Sequence, residues 1–164
     1  MRRSSVGWAI WLLAVVTIVG LAQTTPRDGT TVVAPAPLMS LSAQRDSIVA
    51  QEARRAGVSV RLALAVSHVE NTSGDSLAVS ARGAVGIMQV LPKYWQHEFE
   101  DECGCGSLFA RRRNACVGVR VLAKYLTQYK TVAQALRAYH GSLHLRAAGD
   151  QYISQVLDQD FLVR

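Results

Sequence analysis

Glu70 is the residue whose placement in this sequence best suits chemistry. It closes an apolar run, Leu62-Ala-Leu-Ala-Val66, that continues through Ser67-His68-Val69. A carboxyl group at the end of so apolar a helix is drawn partly out of water. Lost hydration disfavours the charged form and raises the pKa towards the range of a general acid. The competing reading is a solvated glutamate at a helix end, and Glu70 alone does not decide between them, because perturbed carboxylates mark function only where other groups converge.

The next group with chemical content is Ser80-Ala-Arg-Gly-Ala-Val-Gly-Ile-Met-Gln-Val-Leu-Pro92. Gly83 and Gly86 permit tight backbone geometry or close approach of a ligand. Gln89 offers a donor and an acceptor, suited to the amides and hydroxyls of a sugar. By spacing alone the segment is a glycine-containing turn ahead of a short helix. Asp75, in the link Asn71 to Leu77, is a second carboxylate near Glu70 in sequence, although a loop aspartate commonly caps a turn.

The elements that must hold these groups read as helices. Ile48, Val49, Ala53 and Ala56 recur at helical spacing, with Gly57 where a C-terminal cap belongs. A second helix begins at Ser59, and its apolar centre implies a buried position. A third covers Asn114 to Tyr129 with Val117, Val121, Leu122 and Tyr125 on one side, and helical stretches follow at Val132 to Tyr139 and Asp150 to Leu157. Strand signals are weak. The fold expected is mostly α, a single globular helical domain over residues 41–164.

The preceding residues have a different composition. Arg2 and Arg3 precede an apolar run from Val6 to Ala22 that ends in Gly20-Leu21-Ala22. Positive flank, apolar middle and small final residues describe an export signal over residues 1–22, and retention as a membrane anchor is its rival. Either way the two arginines keep the amino end cytoplasmic and send the rest across the membrane. Pro26, Pro35 and Pro37 among Thr, Gly and Ala make residues 23–40 a linker.

In the 164-residue chain the formal charge is +6; without Arg2 and Arg3, 16 basic side chains face 12 acidic ones, leaving +4. That excess does not select a partner. The Arg111-Arg-Arg113 run reads as a solvated face, and in an exported chain no nucleic-acid partner is expected. His68 and His144 read as ordinary helix or loop histidines. Export also favours a disulfide between Cys116 and either Cys103 or Cys105, with one thiol left over. A zinc site with His97 is the alternative, poorly served by the spacing.

Glu70, Ala78-Val79-Ser80 and Gly83-Ala-Val-Gly-Ile-Met-Gln-Val-Leu-Pro92 together resemble the soluble lytic transglycosylase (SLT, goose-lysozyme-like) family. Asn114-Ala-Cys-Val-Gly118, Ala138-Tyr139 and Tyr152-Ile-Ser-Gln-Val-Leu157 follow in the family's order, so the resemblance spans about residues 43 to 158. It implies an α+β lysozyme-like domain, peptidoglycan glycan strands as substrate, no cofactor and no metal. It further implies that Glu70 protonates the bond between N-acetylmuramic acid and N-acetylglucosamine, then acts as base on the C6 hydroxyl, giving a 1,6-anhydro product. Ser80 would lie near the N-acetyl group. Gly86, Met88 and Gln89 would line the groove, Tyr139 would orient Glu70, and Tyr152 is a groove candidate that reads equally as a core tyrosine.

The chain departs from the family pattern in three places. The link after Glu70 is longer than usual, leaving open a hydrolase in which Asp75 activates water. His140 stands where the family usually has Asn, and Arg82 stands where small or polar residues are common, with an acidic group of the wall as its suggested partner. A module that binds peptidoglycan without cutting it is the reading from another class. The expected location is the periplasm or cell envelope, with inner-membrane anchoring if the signal is retained, and a secretion, conjugation or phage machine is the kind of partner a small localised wall cutter would serve.

Overall fold

The computed structural model describes residues 38–162. The signal or anchor reading of residues 1–22 and nearly all of the linker lie outside them. Seven helices form among the described residues: α1 Leu41–Arg55, α2 Val60–Glu70, α3 Pro92–Trp95, α4 Glu100–Cys103, α5 Arg111–Gln128, α6 Val132–His140 and α7 Arg146–Leu162. Among the same residues β-structure is limited to isolated bridges, Val79 with Val85 and Val85 with Val90. The fold is therefore mostly α. None of the described helices is long and apolar enough to cross a membrane.

Local chemistry sets the ends of the helices. Ser40 caps α1 by accepting from the Ala43 amide at 3.1 Å. At the other end Gly57 adopts φ +67°, while Val58 N–H reaches back to Ala53 O at 2.9 Å, a left-handed glycine termination. Ser59 then caps α2, and Thr131 caps α6 through the Gln134 amide.

Five long helices pack in a cycle, each against the next: α1, α2, α7, α6, α5 and back to α1. In α2, Ala63 through Ser67 are all buried, as a helix flanked on both sides requires. The core joins this stretch to Val49 and Ala53 of α1, Val117 and Leu122 of α5, Leu136 of α6 and Val156 of α7.

Two helices start earlier than the sequence pattern indicates. Helix α7 begins at Arg146 and takes in Gly149, although glycine is intrinsically a poor helix former; α6 approaches there, and a Cβ would stand 2.9 Å from Arg137 Cγ. Helix α5 begins at Arg111, and its first turn is a solvated face only in part, at Arg112. Arg113 is buried and donates to Gln96 O at 2.7 Å. Arg111 and Arg112 reach Gln44 and Gln51 of α1. The arginine run thus ties α5 to its neighbours.

Cys103 of α4 and Cys116 of α5 form a disulfide, which leaves Cys105 as an exposed free thiol. With both sulfurs consumed, the zinc alternative loses two of its ligands. His97 pairs instead with Glu100, Nδ1 to Oε1 at 3.0 Å.

Candidate active site

Glu70 is the last residue of α2, and the backbone just beyond it is held at several points. Arg45 of α1, fully buried, donates through Nη1 to Asn71 O at 2.6 Å and Thr72 O at 3.1 Å. Asn71, also buried, donates through Nδ2 to Asp75 O at 2.7 Å and Gly86 O at 3.1 Å. The chain leaving Glu70 is therefore pinned to α1 on one side and to the glycine segment on the other, which satisfies buried carbonyls that would otherwise be costly.

The glycine segment folds into two successive tight turns. In the first, Ser80 N–H bonds Ala84 O while Ser80 Oγ accepts from Ala84 N–H at 3.1 Å. In the second, Val85 and Val90 exchange backbone bonds at 2.9 and 3.0 Å. Gly86 has φ +78°, and a Cβ there would lie 2.4 Å from Asn114 Nδ2. Glycine is needed because Asn114 fills that space. Its Oδ1 accepts from Met88 N–H at 2.8 Å, and its Nδ2 donates to Val85 O and Leu108 O.

Gln89 has φ +46°, a conformation seldom held by residues other than glycine. Strain of this kind persists where the surroundings over-determine it. Gln89 lines the cleft, with its amide nitrogen donating to Gly86 O at 2.9 Å. Oε1 is left as the acceptor it can offer a sugar. The preceding Met88 is fully buried, with its Cβ over Gly118 of α5. Contrary to the expectation that Met88 lines the groove, its side chain belongs to the core. Gly86 likewise acts from beneath, shaping the turn rather than forming the cleft surface.

A cleft of about 890 Å³ opens above these turns, with Glu70 in its lining. Ser80, Arg82 and Gln89 contribute one side, Tyr94, Trp95 and Tyr125 an aromatic part, and Tyr139 and His140 the region at the end of α6. Trp95 stacks on Phe99 with ring centroids 6.2 Å apart and meets Tyr125 edge-on, while Lys124 Nζ lies 5.1 Å from the Trp95 centroid. Aromatic faces of this kind suit the apolar faces of sugar rings.

Glu70 keeps some contact with the cleft, yet burial pushes its pKa from 4.5 up to about 7, against the opposing effect of a hydrogen bond from Tyr152. Tyr152 Oη donates to Glu70 Oε1 at 2.6 Å. The Tyr152 ring is 4 % exposed and stacks on His140 with centroids 4.4 Å apart and planes at 9°. Burial, then the Glu70 charge, raises the Tyr152 pKa well above its ordinary value, so the phenol keeps the proton it donates. Burial and Arg82 lower the pKa of His140.

The two tyrosines divide their work differently from expectation. Tyr139, expected to approach Glu70 and help orient it, does lie within the field of the Glu70 charge, but its hydroxyl donates to Met88 O at 2.9 Å. Tyr152, read as a groove or core residue, is the one that bonds the acid. Asp75 is absent from the cleft lining, and its Oδ1 accepts from Leu77 N–H at 2.9 Å, a loop-turning role. The other carboxylate of the lining, Glu98, is held by Lys124 at 3.1 Å. The sequence pattern singles out neither the aromatic part nor the Glu98–Lys124 pair. Tyr94-Trp95 directly after Pro92 is the signal that could have found the aromatics.

A helical domain with one acid of raised pKa in an open cleft has the parts of a general acid–base site. The family model for the transglycosylase SLT domain matches residues 47–155, and the chain belongs to that family. Membership brings peptidoglycan cleavage of the general lytic transglycosylase type and peptidoglycan as the substrate class. No curated protein matches the chain.

Proposed function

We propose that this protein is a peptidoglycan lytic transglycosylase that cuts the β-1,4 bond between N-acetylmuramic acid and N-acetylglucosamine, leaving a 1,6-anhydromuramoyl end. The observation that carries this reading is the Glu70 carboxyl, desolvated to a pKa of about 7 and steadied by Tyr152 at 2.6 Å. At that pKa one group can give a proton and recover it near neutrality.

The protonated Glu70 donates to the glycosidic oxygen as the C1–O4 bond breaks, releasing the 4-hydroxyl of the departing sugar. The resulting carboxylate then takes the proton of the C6 hydroxyl as O6 bonds to C1. One proton leaves Glu70 and one returns, without water. Tyr152 stabilises the carboxylate between these steps, when charge resides on it. Ser80 and Gln89 serve the N-acetyl and hydroxyl groups of the bound sugars, and Tyr139 acts through the Met88 carbonyl to hold the wall.

Two carboxylates flank the bond in most glycosidases. Here Asp75 is engaged in its loop and Glu98 with Lys124, which favours the single-acid route over a hydrolase using Asp75. A binding module would have no use for a desolvated acid at the cleft. Action on peptidoglycan implies an extracytoplasmic location, and local wall opening for a secretion, conjugation or phage machine suits a catalytic unit of this size.

The test is digestion of purified peptidoglycan followed by mass spectrometry. Anhydro-muropeptides are expected, and Glu70→Gln should release them about 10²–10⁴-fold more slowly. Reducing ends instead would identify a hydrolase, and no products a binder.

A further inference from the structure

The cleft lining contains two cations of fixed charge, and they differ in circumstance. Lys124 is neutralised by Glu98 at 3.1 Å. Arg82 is exposed and has no hydrogen bond or ion pair among the described residues. It belongs to the same short wall as Ser80, and its field reaches His140, the residue stacked on the Tyr152 that bonds Glu70. An uncommitted guanidinium therefore shares the cleft with the acid, open to an anion that no described residue supplies.

The reading of the cleft as a peptidoglycan site, on which this inference rests, specifies where such an anion would come from. Each N-acetylmuramic acid carries a lactyl ether at O3, from which an acidic stem peptide extends. A bond broken next to that sugar brings the stem to the cleft rim within one residue of Glu70. We propose that Arg82 is a specificity-determining residue that binds a carboxylate of the stem peptide, giving the protein a preference for peptide-bearing glycan over glycan stripped of its peptides. The planar guanidinium fork matches a carboxylate in two-point geometry, which an ammonium does not. Because Arg82 is exposed, the contact modulates preference rather than anchoring the strand, a contribution of about fivefold in affinity.

Binding read without cutting separates this inference from the catalytic one. The Glu70→Gln protein is titrated with soluble glycan oligomers that retain their stem peptides, and with the same oligomers after an amidase has removed them. Peptide-bearing oligomers should bind about fivefold more tightly, and the ratio should shrink when salt rises from about 0.05 M to about 0.5 M. Adding Arg82→Gln should bring the ratio to about one, and Arg82→Lys should keep part of it. Equal affinity for both oligomers, no binding of either, or a preference that survives Arg82→Gln would overturn the proposal. A failed catalytic reading would appear elsewhere, as a digest without anhydro products.

Discussion

Tyr152 gives its hydroxyl hydrogen to Glu70 Oε1 at 2.6 Å, joining α7 to the end of α2 across 82 residues of sequence. The bond favours the ionised acid and so works against the burial that raises its pKa. Tyr152→Phe keeps the ring that stacks on His140 and removes only this bond. The Glu70 pKa should then rise above about 7, moving the alkaline limb of the pH–rate profile to higher pH. Turnover should fall about tenfold, as loss of a hydrogen bond to a charged group implies. An alkaline limb that stays in place would mean the bond does not tune the acid.

Stability should record the same shift. The folded protein holds the Glu70 proton up to about pH 7, whereas an ordinary solvated glutamate loses it near 4.5. Between these values the native state binds more protons than the unfolded chain, so stability is greatest below the lower value. It falls as pH rises and levels off above the higher one, a loss of about 3 kcal/mol. Glu70→Gln cannot ionise, so it should exceed the parent by about that amount at pH 8 and match it near pH 4. Urea unfolding at both pH values measures the difference, and equal curves at pH 8 would contradict a desolvated acid.

Gly118 tests the wall from behind. It lies within α5, where a Cβ would meet Met88 Cβ at 2.5 Å and Tyr139 Oη at 3.2 Å. Gly118→Ala should therefore cost about 1–3 kcal/mol through overlap, despite the better helix propensity of alanine. Thermal unfolding should show a melting point several degrees lower. A variant melting with the parent would show that the wall can yield.

The disulfide offers a comparison between neighbouring cysteines. Cys103 and Cys116 are 13 residues apart, a loop whose closure stabilises by about 3 kcal/mol in the chain-entropy account. Cys116→Ser should lose about that much, and Cys105→Ser, at an exposed free thiol, should lose almost nothing. Denaturant midpoints under oxidising conditions give both values.

The features legible in the sequence are those that local pattern determines. The apolar centre of α2, its start at Ser59, the Gly57 termination and the paired glycines each act through neighbours a few residues away, and each is found in the fold. Tertiary packing decides the rest. Whether Tyr139 or Tyr152 reaches Glu70 depends on how α6 and α7 dock, which no local spacing encodes. Met88 departs from expectation because the positive φ of Gln89 and the Asn114 bonds fix the turn, sending successive side chains to core and cleft. Arg45 looks like any charged helix residue until the carbonyls beyond Glu70 arrive to receive it.

The acid at the end of α2 acquires its partner only from the last helix of the described chain. During synthesis and passage to the wall, α2 emerges long before α7. Until α7 docks, Glu70 lacks its tyrosine. The proposed acid is therefore complete only once α7 has docked, and a chain ended before α7 should keep Glu70 and the glycine segment yet lose the bond that steadies the carboxylate.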